Sequence, residues 1–452
     1  MKRLTRLALL APAALLLGQL VPSSSAGITV YAGPVARAHC GPGSHPETAE
    51  QGRVPHADVT SGRAARGYTC NAEIVGTYAG PPSNFKTLRY VDAHGRQCAY
   101  YDSNKGDGVT VLDMSNATHP RQTTVLTSPA MRFPHESLLV NARRGLLVAT
   151  AGSAATAPGL TSVYQLSADC RQPVLASQLP VGIFGHESGF APDGLTYYTA
   201  AAIPGTLVAV DLTDPTNPSV VMAKAGVHIH GLRLSADGNT MYAAINGTET
   251  PGDPSAMSIY DTSEVQRRVT NPQVTLLSTL SWPVRGVAQV AEPVTIKGHR
   301  FVVEVDEFSR FPKTFTYDAL NTVGAARVID VQDPRKPFVV SNLRLEVNET
   351  KNRQGDQQND TNGTSDGSGY AAHYCAVPSS VDPGIVACSF LSSGMRVFDI
   401  HDPYHPKEIA YLNRATSSTA VGPAFDIAHR QIWYADGKGF VAFRVTNNAW
   451  RR

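Results

Sequence analysis

Four segments of this chain share one pattern: Val109–Pro120 (VTVLDMSNATHP), Leu207–Pro218 (LVAVDLTDPTNP), Ala326–Pro337 (ARVIDVQDPRKP) and Met395–Pro406 (MRVFDIHDPYHP). Ser162–Pro173 and Met257–Val265 are worn copies, and Phe440–Val445 is a last one cut short by the C-terminus. In each, a short β-prone run meets an Asp, and a second Asp or Asn with Pro stops the strand. An Asp side chain bonds the backbone N–H two residues on, while Pro fixes φ and donates nothing. The second proline, such as Pro218, opens the next run, which is tolerable only at a sheet edge. Hairpins such as Ser188–Thr199 and Gly231–Ala243, turning at Asp193-Gly194 and Asp237-Gly238, precede the repeat. Hairpin plus stop makes four antiparallel strands, and such a unit recurring at roughly 40–60 residues is the mark of a propeller array.

The spacing predicts an all-β fold, a seven-bladed β-propeller with blades near 85–129, 130–180, 181–226, 227–284, 285–347, 370–415 and 416–446. The last has only three strands. Asn71–Tyr78 (NAEIVGTY) reads as a lone outer strand, so it is expected to complete that blade and close the ring. A single propeller domain over residues 68–447 follows. The D-x-x-D-P-x-x-P stop resembles that of the LVIVD-repeat family, over about residues 70–446. That resemblance implies a β-propeller and no defined activity.

Residues 1–26 read as a secretory signal: Lys2, Arg3 and Arg6, then apolar Leu7–Val21, then small Ser24-Ser25-Ala26. The apolar part is short for a membrane span, and no second candidate follows. The expected product is an exported, monomeric bacterial protein with no membrane span after signal removal. Loss of those three cations takes the formal charge from +2 to −1. With no basic run, a nucleic-acid partner is excluded. Six cysteines favour disulfides in an oxidising compartment. Only Cys375 and Cys388, flanking the turn Pro378–Gly384, pair by local argument; Cys40, Cys70, Cys98 and Cys170 stay unassigned. Residues 27–67 read as a loosely ordered leader, and Asn348–Gly369, nearly free of apolar side chains, as a disordered polar insert.

Histidines recur where inner strands begin: His135 in FPHES, His186 in FGHES, His228 and His230 in VHIHG, and His373 in AAHYC. Equivalent inner-strand positions of a propeller converge on the central channel. Imidazole suits Cu, Zn or Fe, and three or four suffice as ligands. His228 and His230, two apart, would share a strand face. The same pattern also arises by blade duplication, with the histidines serving as polar channel lining. Glu136 and Glu187 alternate away from their histidines on a regular strand. They would either orient a ligating imidazole or pair with a cation of the next blade. Ser137 and Ser188 would be polar neighbours. Cys375 shares parity with His373, so a thiolate ligand is open beside the disulfide. Asp102, Glu304, Asp306 and Asp436 end second strands and would reach the rim or cap turns.

Two functions fit. One is a secreted binding propeller for a small molecule or an extracellular protein at the channel mouth. The other is a metal-dependent enzyme, oxidase- or lyase-like, on His135, His186, His230 and His373, with the insert 348–369 and Phe308–Ala325 as a partial lid. The histidine-lined channel is similar in arrangement to that of the copper-dependent methanethiol oxidase (selenium-binding protein) propellers, without a long motif match. No G-x-S-x-G elbow, P-loop, G-x-G-x-x-G or helical zinc-protease motif occurs.

Overall fold

The structure is a computed structural model that describes residues 33–450 except 84, 104, 153–158, 202–204, 246–254, 283–286, 308–323, 353–368 and 416–417. The signal segment, nearly all of the insertion Phe308–Ala325 and most of the polar insert lie outside the described residues.

The described strands fall into seven antiparallel groups of four. The first is Thr87–Val91, Gln97–Asp102, Val109–Asp113 and Arg121–Leu126, the second Leu139–Asn141, Leu146–Thr150, Leu160–Gln165 and Val174–Pro180. The third is Ser188–Phe190, Thr196–Ala201, Thr206–Asp211 and Ser219–Ala225, the fourth Ile229–Leu234, Thr240–Ile245, Ser255–Asp261 and Thr275–Trp282. The fifth is Val287–Ile296, His299–Glu307, Ala326–Asp330 and Phe338–Asn342, the sixth Ala372–Ala376, Ile385–Phe390, Gly394–Asp399 and Lys407–Asn413. The seventh has only Ala424–Asp426, Gln431–Asp436 and Gly439–Val445 from the C-terminal end, and Ala72–Tyr78 supplies its outermost strand. One parallel pair, Glu307 with Ala372, joins the fifth and sixth groups into a longer sheet.

The repeat motif does what its chemistry requires. Asp211 and Asp214 each accept a bond from the backbone N–H two residues on, at 2.8 and 2.9 Å. Asp330 with Asp333, Asp399 with Asp402, and Asp113 with Asn116 do the same in their copies. The register also slips between third and outermost strands in every group, for example at Ala209/Val210 and Val397/Phe398. Such a bulge increases local twist and turns the outer edge away from sheet-to-sheet pairing.

The second and third strands of each group are buried on both faces, so they read as continuous apolar runs rather than alternations, while outermost strands such as Arg121–Leu126, Val174–Pro180 and Ser219–Ala225 stay largely exposed. Cys98 and Tyr100 pack toward the second group with Leu147 and Tyr164, whereas Ala99 and Tyr101 pack toward the seventh with Trp433. Each neighbouring pair of groups shares one apolar cluster in this way, from first against second round to seventh against first. The core is therefore a ring of interfaces around a channel.

All six cysteines are paired, as Cys40–Cys70, Cys98–Cys170 and Cys375–Cys388. Cys375 is thus no thiolate. Residues 33–67, expected to be loosely held, are fastened to the sixth group. Ala36 and His45 form bridges to Lys407 and Thr69, and Tyr68–Cys70 extends the sheet beyond Lys407–Asn413. Val54, Ala64, Tyr68 and Cys70 cluster against Tyr411 and Ala415. Glu47 reaches in to the buried Arg396, which also bonds Glu408. A few apolar contacts, one disulfide and two ion pairs, Glu47 with Arg396 and Arg37 with Glu346, order a stretch whose composition reads as unstructured. At the edge of the polar insert, Asn348 is buried and donates to Tyr370 O.

Candidate metal centre

His135, His186, His230 and His373 come together from four separate strand groups. Ring centroids lie 4.4 Å apart for His135 and His186, and 4.2 Å apart for His186 and His230. The Nε2 atoms of His186 and His230 approach to 2.8 Å. His373 joins through two carboxylates, Glu136 at 3.5 Å and Glu307 at 2.9 Å from its Nε2. His228 does not join. It is exposed, precedes the strand beginning at Ile229, and sits over Gly205. The register slips between Ile229 and Gly231, so the two-residue spacing does not place both rings on one face.

Local chain geometry explains which glutamate enters. Pro134–Ser137 is a tight turn closed by Ser137 N to Pro134 O at 3.0 Å, and His135 has the left-handed φ of 48°. Strand alternation therefore fails there, and Glu136 turns inward beside His135. Its Oε2 is 3.3 Å from His186 Nε2. Glu187 stands next to Glu136 across a parallel bridge but keeps the regular strand. Its carboxylate instead accepts from Lys86 at 2.8 Å, Arg233 at 2.9 Å and the Tyr374 hydroxyl at 3.1 Å. This second layer, with Lys86 Nζ over the Tyr374 ring at 4.0 Å, is buried. Ser137 donates to the carbonyls of Pro134 and Thr150, and Ser188 accepts from Tyr197, so both hydroxyls are used inside the sheets.

Glu307 is absent from any sequence argument based on histidine spacing. Its strand carries Glu304 and Asp306 on the opposite parity, and those two pair with Arg327 instead. The parallel pairing of Glu307 with Ala372 sets its carboxylate against His373. Glu307 Oε1 also lies 3.4 Å from His230 Nε2. Asp436 is taken by Arg414.

The imidazoles are oriented from behind. His230 Nδ1 faces Gln289 O at 3.3 Å, and His373 Nδ1 faces Ala420 O in a short bond. A nitrogen facing a carbonyl carries a proton, which fixes the ring and aims Nε2 at the shared volume, where it holds a proton toward Glu307 or gives that proton up to a metal. Burial opposes charge on His230, yet the Glu307 bond and the Glu136 charge prevail and push it up to about 9. His373 is raised for the same reasons. Burial alone would raise Glu136 and Glu307; the imidazoles hold both low. Burial takes His135 down to about 4, and its Nδ1 is buried without a hydrogen-bond partner. The site attracts positive charge onto its Nε2 atoms, as protons or as a metal cation. Donor atoms of His135, Glu136 and His186 all lie within 4.8 Å of one another, a set able to hold a metal ion. Two ligands at about 2.1 Å from one ion stand roughly 3 Å apart, the spacing that His186 Nε2 has to His230 Nε2 (2.8 Å) and to Glu136 Oε2 (3.3 Å).

Asp102 lies off the cluster. Buried, it accepts from Ser83 Oγ at 2.7 Å and Lys86 N at 3.0 Å through Oδ1, while Oδ2 has no partner. Burial pushes it up to about 6. A folded-state value above the unfolded one means stability is fully present below pH 4 and lost as pH rises through about 6. Asp102→Asn, which keeps the Oδ1 bonds, should therefore gain on the parent between pH 4 and 8, by roughly 3 kcal/mol at most. Denaturant unfolding across that range checks this; parallel curves would refute it.

No family model matches the chain, and no curated protein does. Solved structures do. A chain of "Kuenenia stuttgartiensis Hydrazine Synthase" is similar with a TM-score of 0.50 at 12% identity, covering 80% of this chain and 96% of that one. A chain of "Crystal Structure of Mitotic Checkpoint Complex" is similar with a TM-score of 0.51 at 7% identity, covering 83% of this chain and 95% of that one. Both are propeller-type folds, and at such identities the likeness shows the fold alone. Among the described residues, no helix is long and apolar enough to cross a membrane.

Proposed function

We propose that this protein is an exported metal-dependent propeller enzyme, with a transition metal held at the channel mouth by His135, Glu136 and His186, supported by His230. One observation carries the reading. Donor atoms of His135, Glu136 and His186, from two adjacent sheets, lie within 4.8 Å of one another, and His230 Nε2 from a third stands 2.8 Å from His186 Nε2. The His186 side chain is 30% exposed while Glu136 is 2% exposed. A centre buried on one side and wet on the other leaves room for a substrate or water, which a purely structural metal site closes off. Such a metal would polarise a substrate oxygen or sulfur, or lower the pKa of a bound water. Lys86, Arg233 and Tyr374 converge on Glu187 beside the centre, and a small molecule would approach at the exposed edge of His186. Three disulfides support an oxidising, extracellular location. The likeness to the LVIVD-repeat family rests on the stop motif alone.

Metal analysis of protein purified without chelator tests the reading. At least about 0.8 equivalents of one transition metal is expected, falling below about 0.2 in the His186→Ala/His230→Ala double variant. A metal-free parent that takes up none on addition would leave a proton-held network and a binding propeller. The bonds from Glu307 to both His230 and His373 are what favour that second reading.

A further inference from the structure

The two carboxylates of the centre are spread between two different sets of imidazoles. Glu136 turns Oε2 to His186 at 3.3 Å and Oε1 to His373 at 3.5 Å. Glu307 turns Oε1 to His230 at 3.4 Å and Oε2 to His373 at 2.9 Å. On one side of this pair stand His135, His186 and His230, whose rings neighbour one another in sequence order. On the other stands His373, 5% exposed and fixed by Ala420 O. Each carboxylate thus presents one oxygen to the three-histidine side and one to the His373 side. A carboxylate serving one ion has no need of this arrangement, whereas two syn oxygens facing two positions are what a bridging ligand offers. Metal pairs that share ligands sit roughly 3.5–4 Å apart, and a carboxylate whose two oxygens face different imidazoles, as in Glu136, is the group that bridges such a pair.

We propose that the centre is dinuclear. Its first position is bounded by His135, His186 and His230. Its second is bounded by His373, and Glu136 and Glu307 bridge the two. The inference rests on the metal reading above and adds the nuclearity. It also assigns Glu307 and His373 a position of their own. Six protein ligands, two of them anionic, leave both ions with unfilled positions on the wet side. That disposition suits clamping the two oxygens of a phosphoryl or carboxyl-type group, or holding a bridging water. The three-nitrogen position should take the first equivalent, because nitrogen donors favour a transition cation over carboxylate alone.

The test is a titration of the chelator-stripped full chain with Mn²⁺, followed by electron paramagnetic resonance. Free-ion counting should give two equivalents, and the filled protein should show an exchange-coupled pair signal. Glu307→Gln, which keeps shape and removes the bridging charge, should bind one equivalent with an uncoupled signal. His373→Ala should do the same, and a thermal melt establishes that each variant is folded. Saturation at one equivalent in the parent at about tenfold excess would overturn the dinuclear proposal and leave the single-metal reading standing. Two equivalents retained in Glu307→Gln would also overturn it. No uptake of Mn²⁺, Co²⁺ or Zn²⁺ would remove both.

Discussion

Gly76→Val should open the ring and lower the unfolding free energy by more than about 3 kcal/mol. Gly76 sits in the closing strand Ala72–Tyr78, which pairs with Gly439–Val445 and completes the seventh group. A Cβ built there falls 2.1 Å from the backbone oxygen of Ala117 and 3.0 Å from the backbone of Thr118. Those atoms belong to the stop turn of the first group, which Asn116 holds by accepting from Thr118 N. Neither side can yield cheaply: one is a ladder strand and the other a closed turn. The added side chain must push the strand off the first group, where Val75, Tyr78 and Ala117 pack against a shared cluster. Ile74→Thr on the same strand is the control. Ile74 is 47% exposed, and the change should stay within about 0.5 kcal/mol. Urea unfolding of the three proteins decides the matter; equal midpoints for parent and Gly76→Val would show that closure does not depend on this contact.

Arg396→Ala should lose about 3–5 kcal/mol. The guanidinium is fully buried, donates to Ser393 O at 2.8 Å and Glu408 at 3.0 Å, pairs closely with Glu47, and stacks 4.3 Å over the Tyr411 ring. Its removal strands two carboxylates in a dry interface, and burial already pushes Glu47 up. Removing one partner of such a network costs more than the network contributes, because the remaining charge stays desolvated. Glu47→Gln/Glu408→Gln added to Arg396→Ala should recover part of the loss. The local signature is release of residues 33–67, read by limited proteolysis in that stretch before global unfolding. Intact leader in the folded Arg396→Ala protein would show that the disulfide and the Tyr68–Cys70 pairing hold it alone.

The fold was legible because its grammar is local. Asx turns and prolines at Asp211, Asp214 and Pro218 act within a few residues, and they mark strand ends wherever they recur. The lone strand at Ala72–Tyr78 was legible for the same reason: it lacks a hairpin and must find a partner. The leader was not, since Glu47 and Arg396 stand 349 residues apart and composition carries no trace of their pairing. Within the site, the gathering of His135, His186, His230 and His373 follows from blade equivalence. The inward turn of Glu136 does not, because it needs the positive φ at His135 that breaks alternation. His228 misled through the same rule applied where a bulge cancels it. Glu307 enters by a parallel contact between two sheets, which strand parity within one sheet cannot reveal.

Because each apolar cluster lies between adjacent sheets, the imidazoles and carboxylates of the centre stand apart from the apolar packing that holds the rosette together. Substituting one of them rewires the lumen without dismantling its walls. Four of the described strand groups bring an imidazole to the centre and the others do not, so a near-symmetric frame has produced a lopsided interior. A lineage of such frames can exchange one chemistry for another by altering a handful of lumenal side chains, while the surrounding masonry stays as it was.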